Sequence, residues 1–450
     1  MLRVAVVGSG PAGVYAAGLL TQGDVRVDVL DRLPCPFGLV RYGVAPDHPK
    51  IKSISATLRK VLDHPAVRFL GNVEVGTQIT VEQLHRFYDA IIITSGAAVD
   101  RHLGIPGEQR AGVYSATDFV GWYCGHPDAP LDRFTLDAHS VAVVGAGNVA
   151  LDVTRILAKS ADELRDTDVP DQVLQVLLSS QVADIYLLAR RGPVQAKFTP
   201  KELRELGALA NADVLVDSTE LELGESDLSR LAAAPALRRN LDALQEWAQR
   251  PVTGHPRRIH LRFRVRPVEV VGDSAVAGLR LERTEVDQQG SFSGTGSTYV
   301  LPVQMVLRSV GYRGLPLPGL PFDDDAGVIP NVAGRVLRAG RPVPGEYVAG
   351  WIKRGPTGVI GTNRHDASET VAALVADAAA LPAAPIRDPD GIRDFLAERN
   401  IDVVTWEGWR SIERAEAEMG RVLGRQPVKI TDRDSLLRIA SGEGMPGPRI

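Results

Sequence analysis

Apolar residues in this chain gather into short, nearly unbroken runs, and two of these runs end in a pair of glycines. Arg3-Val4-Ala5-Val6-Val7 leads into Gly8-Ser9-Gly10, and Ser140-Val141-Ala142-Val143-Val144 leads into Gly145-Ala146-Gly147. A short β-branched run closed by a glycine turn predicts a strand buried on both faces, as in a parallel sheet. Beyond each turn the small and apolar residues predict a helix, over 11–20 and over about 149–159. Residues 160–182, charged and Leu-rich, predict an extension of the second helix or a further helix after it. Strands follow at 25–30, ending at Asp31, and at 185–189, ending at Arg190-Arg191. The chain thus contains two βαβ starts about 137 residues apart, a spacing that predicts two domains rather than the units of a solenoid.

Two further buried strands run into small-residue turns. Tyr88-Asp89-Ala90-Ile91-Ile92-Ile93 precedes Thr94-Ser95-Gly96, and Met305-Val306-Leu307-Arg308-Ser309-Val310 precedes Gly311-Tyr312. Each reads as the strand that closes one βαβ domain and returns to the other, with crossovers in the Pro- and Gly-rich stretches 98–108 and 312–325. The predicted fold class is α/β, with two nested Rossmann-like dinucleotide-binding domains. The expected limits are 1–105 for the first segment of the outer domain, 106–320 for the inserted domain, and 321–450 for the second outer segment with its tail. The tail, from about 386, reads as a Pro-containing linker followed by helical pattern and charged turns, with no chemistry visible in it.

Composition narrows this picture without redirecting it. At 450 residues the chain is too long for a single core, and 44% hydrophobic with 24% charged residues is ordinary for a globular enzyme. A formal net charge of −4 gives no overall attraction to nucleic acid or to an anionic membrane, so any basic docking site has to be local. The two cysteines, Cys35 and Cys124, form no CxxC pair, no metal-ligand set and no disulfide framework. They read as packing residues, which removes dithiol electron transfer and a resident metal from the expectation. No apolar run approaches the roughly 18 residues of a membrane span. The first strand begins so near Met1 that no leader is expected, and the default location is cytoplasmic.

The chemistry lies in how the two fingerprints end. In Gly8-Ser9-Gly10-Pro11-Ala12-Gly13, Gly8 permits the tight turn, Gly10 the approach of a pyrophosphate, and Gly13 the packing of helix on strand. Asp31, 18 residues beyond Gly13 at a strand end, suits ribose hydroxyls. The second fingerprint, Gly145-Ala146-Gly147-Asn148-Val149-Ala150, has Arg190-Arg191 at the corresponding strand end. A carboxylate there would repel the 2′-phosphate of NADP, whereas guanidinium groups grip it at roughly 1.5–3 kcal/mol per charge-assisted contact. A third constellation, Gly345-Glu346-Tyr347-Val348-Ala349-Gly350-Trp351-Ile352-Lys353-Arg354-Gly355-Pro356-Thr357-Gly358-Val359-Ile360-Gly361-Thr362, predicts a strand, a glycine-rich turn and a helix beginning near Gly358. That helix N-terminus could meet the pyrimidine edge of a flavin, with Trp351 as a wall against flavin or nicotinamide, or else as a core aromatic.

The run Phe37-Gly38-Leu39-Val40-Arg41-Tyr42-Gly43-Val44-Ala45-Pro46-Asp47-His48-Pro49-Lys50-Ile51-Lys52 resembles the signature of the adrenodoxin reductase family of ferredoxin–NADP reductases. The segments 145–152, 189–192 and 348–363 and the tail around Trp406 and Trp409 resemble that family too, in the same order and over essentially the whole chain. The resemblance implies a glutathione-reductase-like fold and two cofactors, FAD and NADP(H). It implies FAD contacts at Ala12, Asp31, Leu39, Val75, Trp351, Gly358, Val359 and Ile360. It implies NADP contacts at Asn148, Val149, Ala150, Leu151, Arg190, Arg191, Glu202 and Gly358. His48 and Glu205 resemble the polar pair that the family places near flavin and nicotinamide. By itself His48 could be structural, in a rigid loop between Asp47 and Pro49, and Glu202 and Glu205 could form a solvated helix face.

The implied activity is transfer of a hydride from NADPH to FAD and then of single electrons to a small acidic ferredoxin, an iron–sulfur protein. The alternatives are an NADPH diaphorase or quinone reductase, and a flavin redox sensor without turnover; too few cysteines remain for a subunit that carries its own clusters. Ile259-His260-Leu261-Arg262-Phe263-Arg264-Val265-Arg266 reads as a strand with one buried and one basic face, and with Arg257, Arg258, Arg238 and Arg239 offers either a docking face for an acidic partner or a solvated surface. Oligomeric state is left open by the sequence.

Overall fold

The computed structural model describes residues 1–286 and 292–444, and the chain divides into two compact units. The first comprises Met1–Val99, Cys124–Asp128 and Tyr312–Ile450, and the second Asp100–Tyr123 and Ala129–Gly311.

A seven-stranded sheet organises the first unit, in the order Asn331–Val332, Arg335–Arg338, Arg341–Val348, Ala90–Ile93, Leu2–Val7, Val25–Asp31, Val67–Gly71. Its last five strands pair in parallel. Because successive side chains leave a strand on opposite faces, each apolar run supplies two cores at once. Val4 and Val6 join one apolar cluster while Ala5 and Val7 join the other, and Ala90 and Ile92 alternate with Ile91 and Ile93 in the same way. Uninterrupted burial is therefore why these strands read as continuous hydrophobic runs, each fully buried Val or Ile contributing about 1.5–3 kcal/mol. The helix Pro11–Leu20 follows the first strand as predicted, with proline at its first turn and Ala12, Gly13, Ala16 and Ala17 buried. Its small face lets the helix Thr362–Asp377 pack closely against it.

The second unit holds a six-stranded sheet in the order Val113–Ser115, Met305–Arg308, Ser140–Val144, Asp184–Ala189, Arg257–Phe263, Ala212–Val216, parallel throughout. An antiparallel sheet of Val265–Val271, Gly278–Val286 and Phe292–Leu301 shares a core with it through Ala142, Val144, Leu188, Leu279 and Leu281. The helix after the second glycine turn is Asn148–Ala158, and it ends where Lys159 turns extended. Residues 160–182 hold the separate helices Ala161–Arg165 and Asp171–Leu178, the first opened by a Ser160–Glu163 capping box.

Two expectations change. The helix placed near Gly358 starts at Thr362, because Gly355 and Gly358 have φ of +83° and +84°, in the left-handed region that a right-handed helix cannot include. The predicted basic strand is two strands: Arg264 has φ +54° and breaks the run between Phe263 and Val265.

The tail is integral to the first unit. Ile392 and Leu396 of Gly391–Ala397 enter one core, and Trp409 and Ile412 of Trp406–Val422 enter the other with Leu436 and Ile439 of Arg433–Ser441. Before these helices the chain is strapped down by Arg3, whose Nη1 donates to the carbonyls of Ile386 and Asp388 at 3.0 Å each, and by Asp89, which accepts from the Ala384 amide at 2.8 Å.

Candidate functional site

In the first glycine turn the three glycines answer to different constraints. Gly8 has φ +111°, and a Cβ there would lie 2.6 Å from the Thr94 carbonyl oxygen. A Cβ at Gly13 would lie 2.0 Å from the Gly8 carbonyl oxygen, so strand and helix could not close on each other. Gly10 is different: its backbone, at φ −68° and ψ 178°, suits any residue, and a Cβ would meet nothing within 4 Å. Nothing in the protein requires a glycine at this position, which opens onto free space beside a helix N-terminus with no side-chain cap and no acidic residue in its first turn. Unpaired N–H groups, a positive dipole end and an unfilled approach path make an anion cradle.

Asp31 closes this cradle from the strand end. Its Oδ2 accepts from the Ser9 amide at 2.8 Å and the Ser9 hydroxyl at 2.5 Å, and its Oδ1 accepts from the Leu33 amide at 2.9 Å. Burial raises its pKa against the lowering effect of these hydrogen bonds. One carboxylate oxygen is thus engaged by the glycine turn itself, and Oδ1 keeps capacity for another donor.

The other sequence-predicted residues of this unit come to the cradle through backbone contacts. Phe37 N donates to Ser9 O at 3.0 Å, and a Cβ on Gly38 would lie 3.1 Å from Gly10 Cα, which brings Leu39, 40% exposed, beside the turn. Val73 N donates to Asp31 O at 2.8 Å, with buried Val75 two residues on. A Cβ on Gly350 would lie 2.7 Å from that of Ala12, so the turn carrying Trp351 rests on the first helix. Trp351 leans on Tyr312 at 5.5 Å between ring centroids, and its indole Nε1 is buried with no hydrogen-bond partner among the described residues. The stretch after it is anchored from below: Gly350 N donates to Asp366, whose carboxylate also faces the buried Lys353 at 3.1 Å. Lys353 holds Glu369 at 2.5 Å as well and lowers its pKa. Val359 is 65% exposed, Gly358 is exposed and Ile360 half-buried. His48 is buried at the N-terminal end of the short helix Pro49–Lys52, its amide donating to Ala45 O at 3.0 Å.

The second unit repeats the cradle with a different rim. Gly145 has φ +146° and would bring a Cβ to 2.1 Å from Ser309 O, whereas a Cβ on Gly147 would again meet nothing within 4 Å. Asn148 opens the helix and turns its side-chain oxygen to the Thr199 amide at 2.9 Å; Val149 is half-buried, and Ala150 and Leu151 are fully buried. Arg190 and Arg191 are both exposed, and neither guanidinium pairs with a carboxylate among the described residues. Their carbonyls are held by Thr284 Oγ1 at 2.7 Å and Arg264 N at 3.1 Å, and the Arg191 guanidinium lies 5.8 Å from the Phe292 ring.

Two residues without a signature of their own in the sequence support this unit's site, Lys197 at the glycine turn and Arg155 further along the helix. Lys197 N donates to Ala146 O at 2.8 Å, which sets an exposed lysine against the glycine turn with no carboxylate partner among the described residues. Arg155 is 2% exposed and faces Asp152 at 2.8 Å, Glu205 at 3.5 Å and Glu202 at 3.7 Å. Glu202 is itself buried, so the helix Pro200–Leu206 does not present the solvated charged face that was one reading of its glutamates. The signal for Arg155 was a cation among buried apolar positions of its helix; for Lys197 there was none, since it depends on a contact 51 residues away.

The basic strand face is already neutralised. Asp184 takes Arg258 at 2.5 Å and His260 at 2.8 Å, Glu220 takes Arg262 at 2.9 Å, and Glu282 takes Arg266 at 2.7 Å. Arg258 first, with His260, holds the Asp184 carboxyl down to about 2. By contrast Arg204, Arg230, Arg238 and Arg239, on helices that pack together, have no carboxylate partner among the described residues. Both cysteines are buried and form no disulfide among the described residues, and burial pushes Cys35 up to about 11.

Residues 2–340 match the family model described as pyridine nucleotide-disulphide oxidoreductase. NADPH-ferredoxin reductase FprA of Mycobacterium tuberculosis is 44% identical over 98% of this chain and 99% of its own length. The mitochondrial NADPH:adrenodoxin oxidoreductase of Arabidopsis thaliana is 37% identical over 98% and 95%. A solved structure of Mycobacterium tuberculosis FprA in complex with NADPH superposes with a TM-score of 0.92 at 43% identity, covering 98% of this chain and 100% of that one. With two unlike dinucleotide cradles and full-length similarity to these reductases, the chain belongs to the pyridine nucleotide-disulphide oxidoreductase family, in its NADPH-ferredoxin and NADPH:adrenodoxin reductase branch.

Proposed function

We propose that this protein is an FAD-dependent NADPH–ferredoxin oxidoreductase, with FAD held by the first unit and NADPH by the second. The observation that carries the reading is the difference between the two cradles. Both leave open space at their middle glycine, but one is rimmed by a half-buried carboxylate and the other by two arginines that have no carboxylate partner among the described residues. The residues fit the groups: the vacant approach at Gly10 suits a pyrophosphate, the orphaned Trp351 Nε1 suits an acceptor, and Arg190 with Arg191 suits a 2′-phosphate.

Gly8, Gly10, Ala12, Gly13, Asp31, Leu39, Val75, Trp351, Gly358, Val359 and Ile360 would hold FAD. Gly147, Asn148, Val149, Ala150, Leu151, Arg190, Arg191 and Glu202 would hold NADPH, and Lys197 would add a positive charge at its pyrophosphate. Bound FAD supplies the ability to accept electrons as a hydride pair and to release them singly, which nicotinamide lacks. The chain supplies position: the glycine turns orient the phosphates, and Trp351 excludes water. His48 and Glu205 would serve as polar groups near the reacting rings, with Arg155, 3.5 Å from Glu205, holding it in place.

An acidic ferredoxin would meet Arg204, Arg230, Arg238 and Arg239 rather than the neutralised strand. No helix among the described residues is long and apolar enough to cross a membrane, and we place the reaction in the cytoplasm. Purified protein is expected to be yellow and to bleach on anaerobic addition of NADPH; a colourless preparation that takes up no added FAD would refute the reading. Cytochrome c reduction that rises when ferredoxin is added supports the ferredoxin step, and a rate indifferent to ferredoxin indicates a diaphorase instead.

A further inference from the structure

The turn that presses on the first glycine cradle is strained. Phe37 has φ +81°, a backbone conformation that a bulky side chain adopts only when its surroundings impose it. Gly38, at φ +48°, follows and approaches Gly10 as closely as a glycine can. The restraint comes from the far end of the chain. The Phe37 ring is buried edge-on against Trp409 of the helix Trp406–Val422, at 6.1 Å and 84°. Above Trp409 lies the Arg41 guanidinium, 5.0 Å from the ring, and it also covers Tyr42 at 4.9 Å. Arg41 is fixed by a buried bidentate pair with Glu416 of the same tail helix, at 3.0 and 2.5 Å. Glu416 accepts in addition from the Ile430 amide at 2.9 Å, which ties in the chain beyond the helix.

We infer that the tail helix Trp406–Val422 is a clamp for the flavin cradle, with Arg41 and Glu416 as a positioning pair that keeps the Phe37–Gly38 turn in the strained form needed to retain FAD. The inference rests on the reading of the first unit as the FAD site. Arg41 works through Trp409 and Phe37 on the backbone of Ser9 and Gly10. When the clamp is released, the competent form of the turn becomes a minority state, and the apparent dissociation constant rises by the inverse of its population.

A buried ion pair exchanged for apolar residues of similar volume often leaves stability intact, which allows positioning to be separated from folding. The test compares the wild type, the double variant Arg41→Met with Glu416→Leu, and Trp409→Phe as a second route should the double variant fail to fold. Each apoprotein is titrated with FAD by flavin fluorescence, its thermal midpoint is measured without flavin, and the visible circular dichroism of bound flavin is recorded. The expected result is an apoprotein midpoint near that of the wild type, a dissociation constant raised about tenfold or more, and an altered flavin dichroism. An unchanged dissociation constant overturns the inference, as does a loss of affinity that only follows a fall in the midpoint with an unaltered dichroic spectrum. If the wild type itself binds no FAD, the underlying reading of the site falls instead, so the two failures are distinguishable.

Discussion

Gly10 and Gly13 stand three residues apart in one motif, and the protein uses them for opposite reasons. A methyl group at Gly13 would collide with the Gly8 carbonyl oxygen, so Gly13→Ala is expected to lower the stability of the apoprotein. A methyl at Gly10 meets only open space, so Gly10→Ala should leave the apoprotein midpoint unchanged while weakening FAD binding about ten- to hundredfold, the cost of a methylene forced into a close contact. A Gly10→Ala protein that holds FAD as tightly as the wild type would remove the pyrophosphate from this turn. On the other cradle, Arg190→Ala with Arg191→Ala should raise the KM for NADPH about ten- to several-hundredfold and leave NADH nearly untouched. Lys197→Ala should weaken both nucleotides alike, by a few-fold, because a charge beside Ala146 addresses the shared pyrophosphate. Equal effects of the arginine pair on the two nucleotides would contradict the division of labour.

At the scale of elements, the strands around Asp184 show how a pattern can mislead about charge. The alternation in Arg257–Phe263 does produce a buried face and a basic face, with Ile259, Leu261 and Phe263 inside. The neighbouring strand and the short 3-10 helix Ser218–Leu221 then bring Asp184 and Glu220 under that basic face. The Asp184 carboxyl, held at about 2 chiefly by Arg258, has a folded-state pKa below its ordinary value near 3.8. Such a group stabilises the fold above its unfolded pKa, and the contribution is lost as pH falls from about 4 towards 2. Asp184→Asn is therefore expected to cost about 1 kcal/mol at neutral pH, reduced from the buried-pair value because Arg258 is 40% exposed. In thermal melts, the gap between variant and wild type should close as the pH is lowered through that window; a gap constant down to pH 2 would show that the charge is not the source.

For the molecule as a whole, a formal charge of −4 means that attraction to an acidic partner has to come from a local surface. The arginines on the helices Pro200–Leu206, Glu225–Ala233 and Pro235–Gln249, which have no carboxylate partner among the described residues, would provide one. Arg238→Glu with Arg239→Glu should slow ferredoxin-dependent cytochrome c reduction about tenfold at low salt, with the difference shrinking as salt is raised. NADPH-dependent reduction of ferricyanide, a small acceptor, should stay at the wild-type rate. Loss of both rates together would place the defect in the cofactor sites and not in docking.

The sequence by itself determined the α/β class, the two glycine turns and the contrast between their rims, because these follow from local patterns: a buried parallel strand, a turn only glycine can make, a charge at a strand end. It also carried the family, through motifs such as 37–52 and 348–363 that are contiguous in the chain. What the tertiary structure decided is which charges are free and which residues support the cradles. Arg155, Lys197 and the Arg41–Glu416 pair become visible only through partners 47, 51 and 375 residues away, and the tail, a helical pattern with no chemistry visible in it, becomes a wall of the first unit. The late start of the helix Thr362–Asp377 lies between the two, since Gly358 announces a special backbone but not which way it turns. Long-range pairing has no period for a sequence to display; it arises when the sheets close and buried charges must find partners or be left unpaired at high cost.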